Sequence, residues 1–232
     1  MPDVLVLCEG PTEREFCREV VGPHMAALGV RVAGTLRGKP DCKQGGIKDW
    51  ATYRSEIVRL GRTSSHHYVA TLVDFYAMPA SWPGRTEANG KAIVQRGAHV
   101  EAALRADLVS DLANRFIPCV QLHEFEALLF VAPTAAVGSL RAAAPDLTNL
   151  QLAAAQMVAV TNSCGGTVEH IDDSPETAPS KRLKAIFNRY DKVAWGVLAA
   201  KNVTLPVLRK GCAWLDRWVC SLEKISTPTI TK

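Results

Sequence analysis

Hydrophobic positions near the start of the chain run without a polar break: Val4-Leu5-Val6-Leu7-Cys8 is aliphatic and mostly β-branched or branched throughout. Such a run predicts a central parallel strand buried on both faces, because a strand with one wet face would alternate apolar and polar positions. Gly10-Pro11-Thr12 interrupts it. Thr12 and Glu15 then form a capping-box pattern, and Phe16, Val20 and Val21 recur at helical spacing to about Leu28. A second strand is predicted over 30–36, a helix over 50–60, and a third strand over 68–75 (YVATLVDF). A helix over 92–112 follows, then a strand over 116–122 whose Pro118 marks an edge or a lead-in. Strands alternating with helices at this spacing predict βαβ units and a mostly parallel sheet flanked by helices.

Beyond Phe130 the texture changes to Ala-rich helical stretches, 134–144 and 147–160. A loop over 164–180 holds Gly165, Gly166, Pro175 and Pro179, and helical patterns return over 181–190 and 212–222. The chain therefore divides into an α/β core, residues 1–130, and a helical C-terminal portion, residues 131–232, packed on the core as one unit. Of the 232 residues 47% are hydrophobic, ample for a buried core. No apolar run approaches the roughly 20 residues of a membrane span. The start of the chain lacks the regions of a signal peptide, so a cytoplasmic protein is expected. Seven cysteines, scattered and without a CxxC pair, argue for reduced thiols, against a zinc site or disulfide framework.

Charge adds a second asymmetry. From Ser180 onward there are eleven Lys/Arg against three Asp/Glu, whereas residues 1–179 hold sixteen against twenty. An acidic body joined to a basic end suits a metal site beside a polyanion-binding surface; solvated helix faces would give the same count.

In an open parallel sheet, ligands gather beyond the carboxyl ends of the strands. Three predicted strands end in acids: Glu9, Asp74 and Glu124, with Glu126 two residues on and Glu13 in the first turn after Glu9. Neighbouring strands lie about 5 Å apart, so these carboxylates converge. Like charges so close are stable only with a counter-cation or a shared proton. Hard oxygen ligands select Mg²⁺ or Mn²⁺. Taken singly, each acid has a structural alternative: Glu9 and Glu13 as helix N-terminus residues, Asp74 as a cap, His123 and Glu124 as a hydrogen-bonded pair. A further acidic group, Glu169, Asp172, Asp173 and Glu176, precedes Ser180-Lys181-Arg182. There a helix start and two basic side chains form a candidate phosphate-binding element, with Glu169 a possible extra carboxylate for the metal cluster. No P-loop, HExxH, GxGxxG or nucleophile elbow is present.

LCEGPTEREFC, LVDFY, VQLHEFEALLF and ETAPSKRL, in this order and spacing, resemble the DUF4276 family of Toprim-related prokaryotic proteins from about residue 3 to about residue 222. The resemblance implies a Toprim-like fold and, by analogy with topoisomerases, primases and OLD-type nucleases, Mg²⁺-dependent cleavage or joining of nucleic acid. It makes Glu9 the Toprim glutamate, with Gly10 opening the turn and Thr12 and Glu13 supporting it, and Asp74 the first aspartate of the DxD pair. Tyr76 stands where the second aspartate would be. Either Glu124 or Glu126 replaces that ligand, or the metal is held weakly or not at all. The resemblance also implies a partner ATPase in a prokaryotic defence setting. The expectation is a Toprim-like nuclease, with Ser180, Lys181 and Arg182 on the nucleic-acid backbone. The rival is a non-catalytic nucleic-acid-binding or scaffold subunit. The sequence leaves the oligomeric state open.

Overall fold

A computed structural model describes residues 3–38, 46–63, 67–140, 149–171 and 176–226. Strands β1 (Asp3–Cys8), β2 (Arg31–Thr35), β3 (Tyr68–Asp74), β4 (Phe116–Ile117) and β5 (Val120–Gln121) form one sheet in which every pair is parallel. Its order is β2-β1-β3-β4, with β5 continuing along β3 beyond β4. The fold class is the expected one, a mostly parallel sheet flanked by helices and followed by a helical C-terminal portion.

The two central strands are buried on both faces, as their unbroken apolar sequence requires. Val4, Val6 and Cys8 of β1 and Ala70 and Leu72 of β3 enter one core; Leu7, Val69 and Val73 enter the other. The first core extends through Phe16, Phe125 and Leu183 to Trp214, Trp218 and Leu222, so the C-terminal helices share it with β1 and β3. The second gathers Tyr53 and Ile57 of α3 (Trp50–Gly61) with Val100 and Leu104 of α5 (Ile93–Ala106). Trp214 and Trp218 are buried packing residues.

Several element boundaries differ from the sequence expectation. The helix after β1 is α1 (Pro11–Phe16), a π turn (Cys17–Val21) and α2 (Gly22–Ala27). Its N-cap is Gly10, whose N–H donates to Glu13 Oε2 at 3.0 Å, so the reciprocal acid is Glu13 and not Glu15. The single helix expected over 92–112 is α5 and a separate α6 (Ser110–Asn114). Between them Asp107 accepts hydrogen bonds from Trp50 Nε1 and Arg54 Nε, at 2.8 and 2.9 Å. The last strand splits at Pro118-Cys119, since proline has no N–H to give a ladder. The outward N–H of Val120 donates to the carboxylate of Glu101 at 2.9 Å, and Arg217 neutralises that carboxylate at 3.0 Å. A short helix, α4 (Arg85–Ala88), precedes α5.

A 3₁₀ turn (Phe125–Phe130) ends the core, and the C-terminal portion contains α7 (Pro133–Leu140), α8 (Leu150–Ser163), a 3₁₀ turn (Val168–His170) and α9 (Pro179–Ile186). A π turn (Lys192–Gly196), α10 (Val197–Val203), α11 (Leu205–Gly211) and α12 (Ala213–Glu223) complete it. Residues 141–148 of the Ala-rich stretches, Asp172, Asp173 and residues 39–45, with Cys42 among them, lie outside the described residues. The other six cysteines form no disulfide. No helix among the described residues is long and apolar enough to cross a membrane.

Helix α5 lies so close to the sheet that a Cβ at Gly97 would stand 2.6 Å from the Val120 carbonyl oxygen. A backbone atom in a paired strand has little room to retreat. Gly97→Val is expected to lower stability by about 3 kcal/mol, roughly 6–10 °C in Tm for a chain of this size. Thermal unfolding followed by circular dichroism checks it.

Candidate metal centre at the strand ends

In a sheet of order 2-1-3-4, the chain leaves β1 toward one edge and β3 toward the other, which opens a crevice at the carboxyl ends of these two strands. Glu9 and Asp74 stand there. Strand pairing sets Cys8 beside Leu72, and the N–H of Glu9 continues the ladder to the Leu72 carbonyl at 3.0 Å. The Glu9 side chain then reaches across the crevice, where its Oε2 accepts the backbone N–H of Asp74 at 3.0 Å. The Glu9 carbonyl accepts the N–H of Gly46 at 2.7 Å, which brings the segment leading into α3 to the same rim.

Asp74 is 5% exposed, and its Oδ1 is buried with no hydrogen-bond partner among the described residues. Burial first, then the charges of Glu9 and Glu13, hold its carboxyl well above the usual carboxylate range. Burial also raises Glu9; the Asp74 N–H pulls it back, while Glu13 and Glu124 add to the rise. Glu126, from the 3₁₀ turn, is fully buried, and its pKa is pushed up to about 7 although Lys192 opposes the shift. These carboxyl groups therefore share one field. Glu13 and Glu124 act on Glu9 through the same field.

A residue that periodicity did not single out completes the group. Lys192 opens the second π turn, and its Nζ lies 3.1 Å from Glu126 Oε2. Burial works against the ammonium, but Glu126, Asp74, Glu13 and Glu124 together raise its pKa above the ordinary lysine value. Tyr190 places its hydroxyl 3.5 Å from Glu126 Oε1. Tyr53 of α3 is wholly buried within electrostatic reach of Glu9, and its hydroxyl has no hydrogen-bond partner among the described residues. Lys192 sits in a basic stretch that reads as a solvated face; only folding of the C-terminal portion back onto the sheet brings it to the rim.

Other candidates take different positions. Glu124 Oε2 accepts the N–H of Ser180 at 2.9 Å, so a carboxylate from the core already occupies the first turn of α9. Lys181 is exposed, while Arg182 donates from Nε to the Thr177 carbonyl at 2.7 Å. Glu169 Oε1 accepts the N–H of Trp214 at 2.9 Å, which commits that carboxylate to the start of α12. His123 is buried, and its Nε2 is bonded to the Glu169 carbonyl oxygen at 2.8 Å. Tyr76, two residues beyond Asp74, is 41% exposed.

Two features of this donor set fit a hard divalent cation: every donor is an oxygen, and Asp74 keeps a buried oxygen unbonded. Among the described residues no three His, Cys, Asp or Glu side chains stand in a ligating arrangement.

The chain is similar in structure to the C-terminal region of the Xanthomonas campestris pv. campestris OLD protein, with 14% identity, 96% of this chain and 95% of that chain covered, and a TM-score of 0.46. No curated protein matches it. The family model for the domain of unknown function DUF4276 matches residues 8–223, nearly the whole chain, and the protein with this acidic rim belongs to that family.

Proposed function

We propose that the rim at the ends of β1 and β3 is a divalent-metal site for phosphodiester chemistry on nucleic acid, in a Toprim-like arrangement. One observation carries the reading. Asp74, buried and with an unbonded oxygen, faces Glu9 at the switch point of a parallel sheet, among more carboxyl groups than Lys192 offsets. Buried acids in excess of their counter-charges are costly, and retaining them at a crevice is the mark of a site that takes up a cation.

Glu9 and Asp74 would hold Mg²⁺ or Mn²⁺, with Glu124 or Glu126 in place of the second Toprim aspartate, where Tyr76 stands. When bound, the ion supplies charge neutralisation at a phosphodiester and polarises it. The chain's own groups do the rest. The Glu9–Asp74 hydrogen bond fixes the two strand ends against each other, and a carboxylate of the set not engaged by the ion accepts the proton of the attacking nucleophile. Lys181, Arg182 and other cations of the basic C-terminal portion hold the nucleic-acid backbone. The chain has no nucleotide-hydrolysing motif, so an ATPase partner would supply any energy-coupled step. The test is incubation with labelled single- and double-stranded DNA and RNA in Mn²⁺, with and without EDTA. Metal-dependent fragments support the reading; their absence on every substrate, with a candidate ATPase added, excludes it.

Lys192 inside the carboxyl cluster favours the second reading, a nucleic-acid-binding subunit without turnover, because an internal ammonium already offsets part of the charge. Both readings place polyanions on the basic side. Lys181→Ala with Arg182→Ala is expected to reduce the slope of log affinity against log salt by about 1–2 on duplex DNA. Fluorescence anisotropy at several salt concentrations measures it, and an unchanged slope removes this pair from the binding surface.

A further inference from the structure

We infer that Lys192 is an internal surrogate for the metal: its ammonium and a divalent cation are alternative occupants of the same carboxyl cluster. The inference rests on the metal-site reading above. Lys192 Nζ lies 3.1 Å from Glu126 Oε2, and Glu126 is wholly buried, whereas the lysine side chain is 38% exposed. One end of the pair is therefore fixed in the core and the other has an open path to solvent. The same ammonium acts on Asp74, Glu13 and Glu124, and on Glu9. One ammonium thus acts on acids that β3, α1, the 3₁₀ turn and the residue after β1 bring to this rim.

Electrostatics sets the sign of the consequence. An ion entering this cluster meets the attraction of the carboxylates and the repulsion of a fixed positive charge a few ångströms away. Binding then requires the ammonium to swing outward, and the flexible four-carbon stem of lysine permits that. The metal-free chain keeps a partly compensated rim, and the loaded chain presents a freed ammonium at its edge. Lys192 is thus a positioning residue: it tunes how tightly the rim takes up metal without itself being a ligand.

The experiment is calorimetric titration of wild type, Lys192→Met and Lys192→Arg with MnCl₂, with melting curves of each metal-free protein. Lys192→Met is expected to bind Mn²⁺ at least tenfold more tightly than wild type and to melt lower without metal. Lys192→Arg, whose charge remains, is expected to bind no more tightly than wild type. If wild type and Lys192→Met bind equally, the surrogate role fails while the metal site stands. If only Lys192→Met binds, the surrogate role holds and the wild-type chain is not itself a metal enzyme. If neither binds, both readings fail. Should Lys192→Met not fold, acylation of Lys192 in wild type by an N-hydroxysuccinimide ester, read by mass spectrometry, replaces it. Mn²⁺ is expected to raise labelling severalfold, and unchanged labelling overturns the inference.

Discussion

Replacing Glu9 by alanine is expected to reduce metal-dependent cleavage of nucleic acid by roughly 10³-fold, about 4 kcal/mol of transition-state stabilisation. Glu9 has two tasks at the rim, and alanine performs neither. On the proposed reading its carboxylate is a donor for the ion, and its Oε2 accepts the Asp74 N–H at 3.0 Å, which holds the ends of β1 and β3 in register. Glu9→Gln separates them, because an amide oxygen still accepts that N–H while the charge is lost. Glu9→Gln is therefore expected to melt no lower than wild type and to lose activity nearly as fully as Glu9→Ala. Glu169→Gln is the control: its partner is the Trp214 N–H at the start of α12, and metal-dependent rate should not change. Single-turnover cleavage rates for the three variants decide it. A Glu9→Ala protein of undiminished activity would remove Glu9 from the chemistry.

Asp74→Asn is expected to act in opposite directions on stability and on metal uptake. In the metal-free chain the Asp74 carboxyl is buried, lacks a partner for Oδ1, and faces Glu9 and Glu13. Removing its charge should stabilise that state by about 1–3 kcal/mol, roughly 2–8 °C in Tm at neutral pH. The pH dependence follows from the direction of the shifts. Asp74 and Glu126 both carry folded-state pKa values above their ordinary ones, Glu126 at about 7. The stability they contribute is complete below the ordinary carboxylate range and is lost as pH rises through the folded values. The metal-free wild type should therefore melt progressively lower as pH rises through about 7. Asp74→Asn should show a shallower decline, and the gap between the two should close as pH falls. Mn²⁺ should raise the melting temperature of wild type and leave Asp74→Asn unmoved, since only a ligand that binds the native state shifts unfolding. An Asp74→Asn chain less stable than wild type at pH 8 without metal would mean that this carboxylate is already compensated.

Local pattern made the sheet legible. The unbroken apolar runs before Glu9 and Asp74 fix strands buried on both faces, and an acid at the end of each can only stand at the carboxyl rim of a parallel sheet. That is why Glu9 and Asp74 are legible as a pair in the sequence itself. What escaped depends on contacts distant in sequence or on non-standard turns. The two π turns shift the helical period, so neither Cys17–Val21 nor Lys192–Gly196 stands out by spacing. Pro118 divides the last strand, but the partly buried Glu101 carboxylate that satisfies its edge comes from α5, about twenty positions earlier. Glu124 and Ser180 each looked like separate binding elements, and the hydrogen bond joining them spans more than fifty residues. Lys192 is the plainest case. Its role comes from the C-terminal portion folding onto the sheet, which charge counting alone reads as a basic surface.

Anomalous scattering from a Mn²⁺-soaked crystal tests the central claim most directly. A single strong peak is expected in the crevice between β1 and β3, within about 2.3 Å of carboxylate oxygens of both Glu9 and Asp74, with the Lys192 ammonium turned away from Glu126. A clean map at the rim, with Glu126 still paired to Lys192 and Asp74 still buried without a ligand at saturating Mn²⁺, would contradict it.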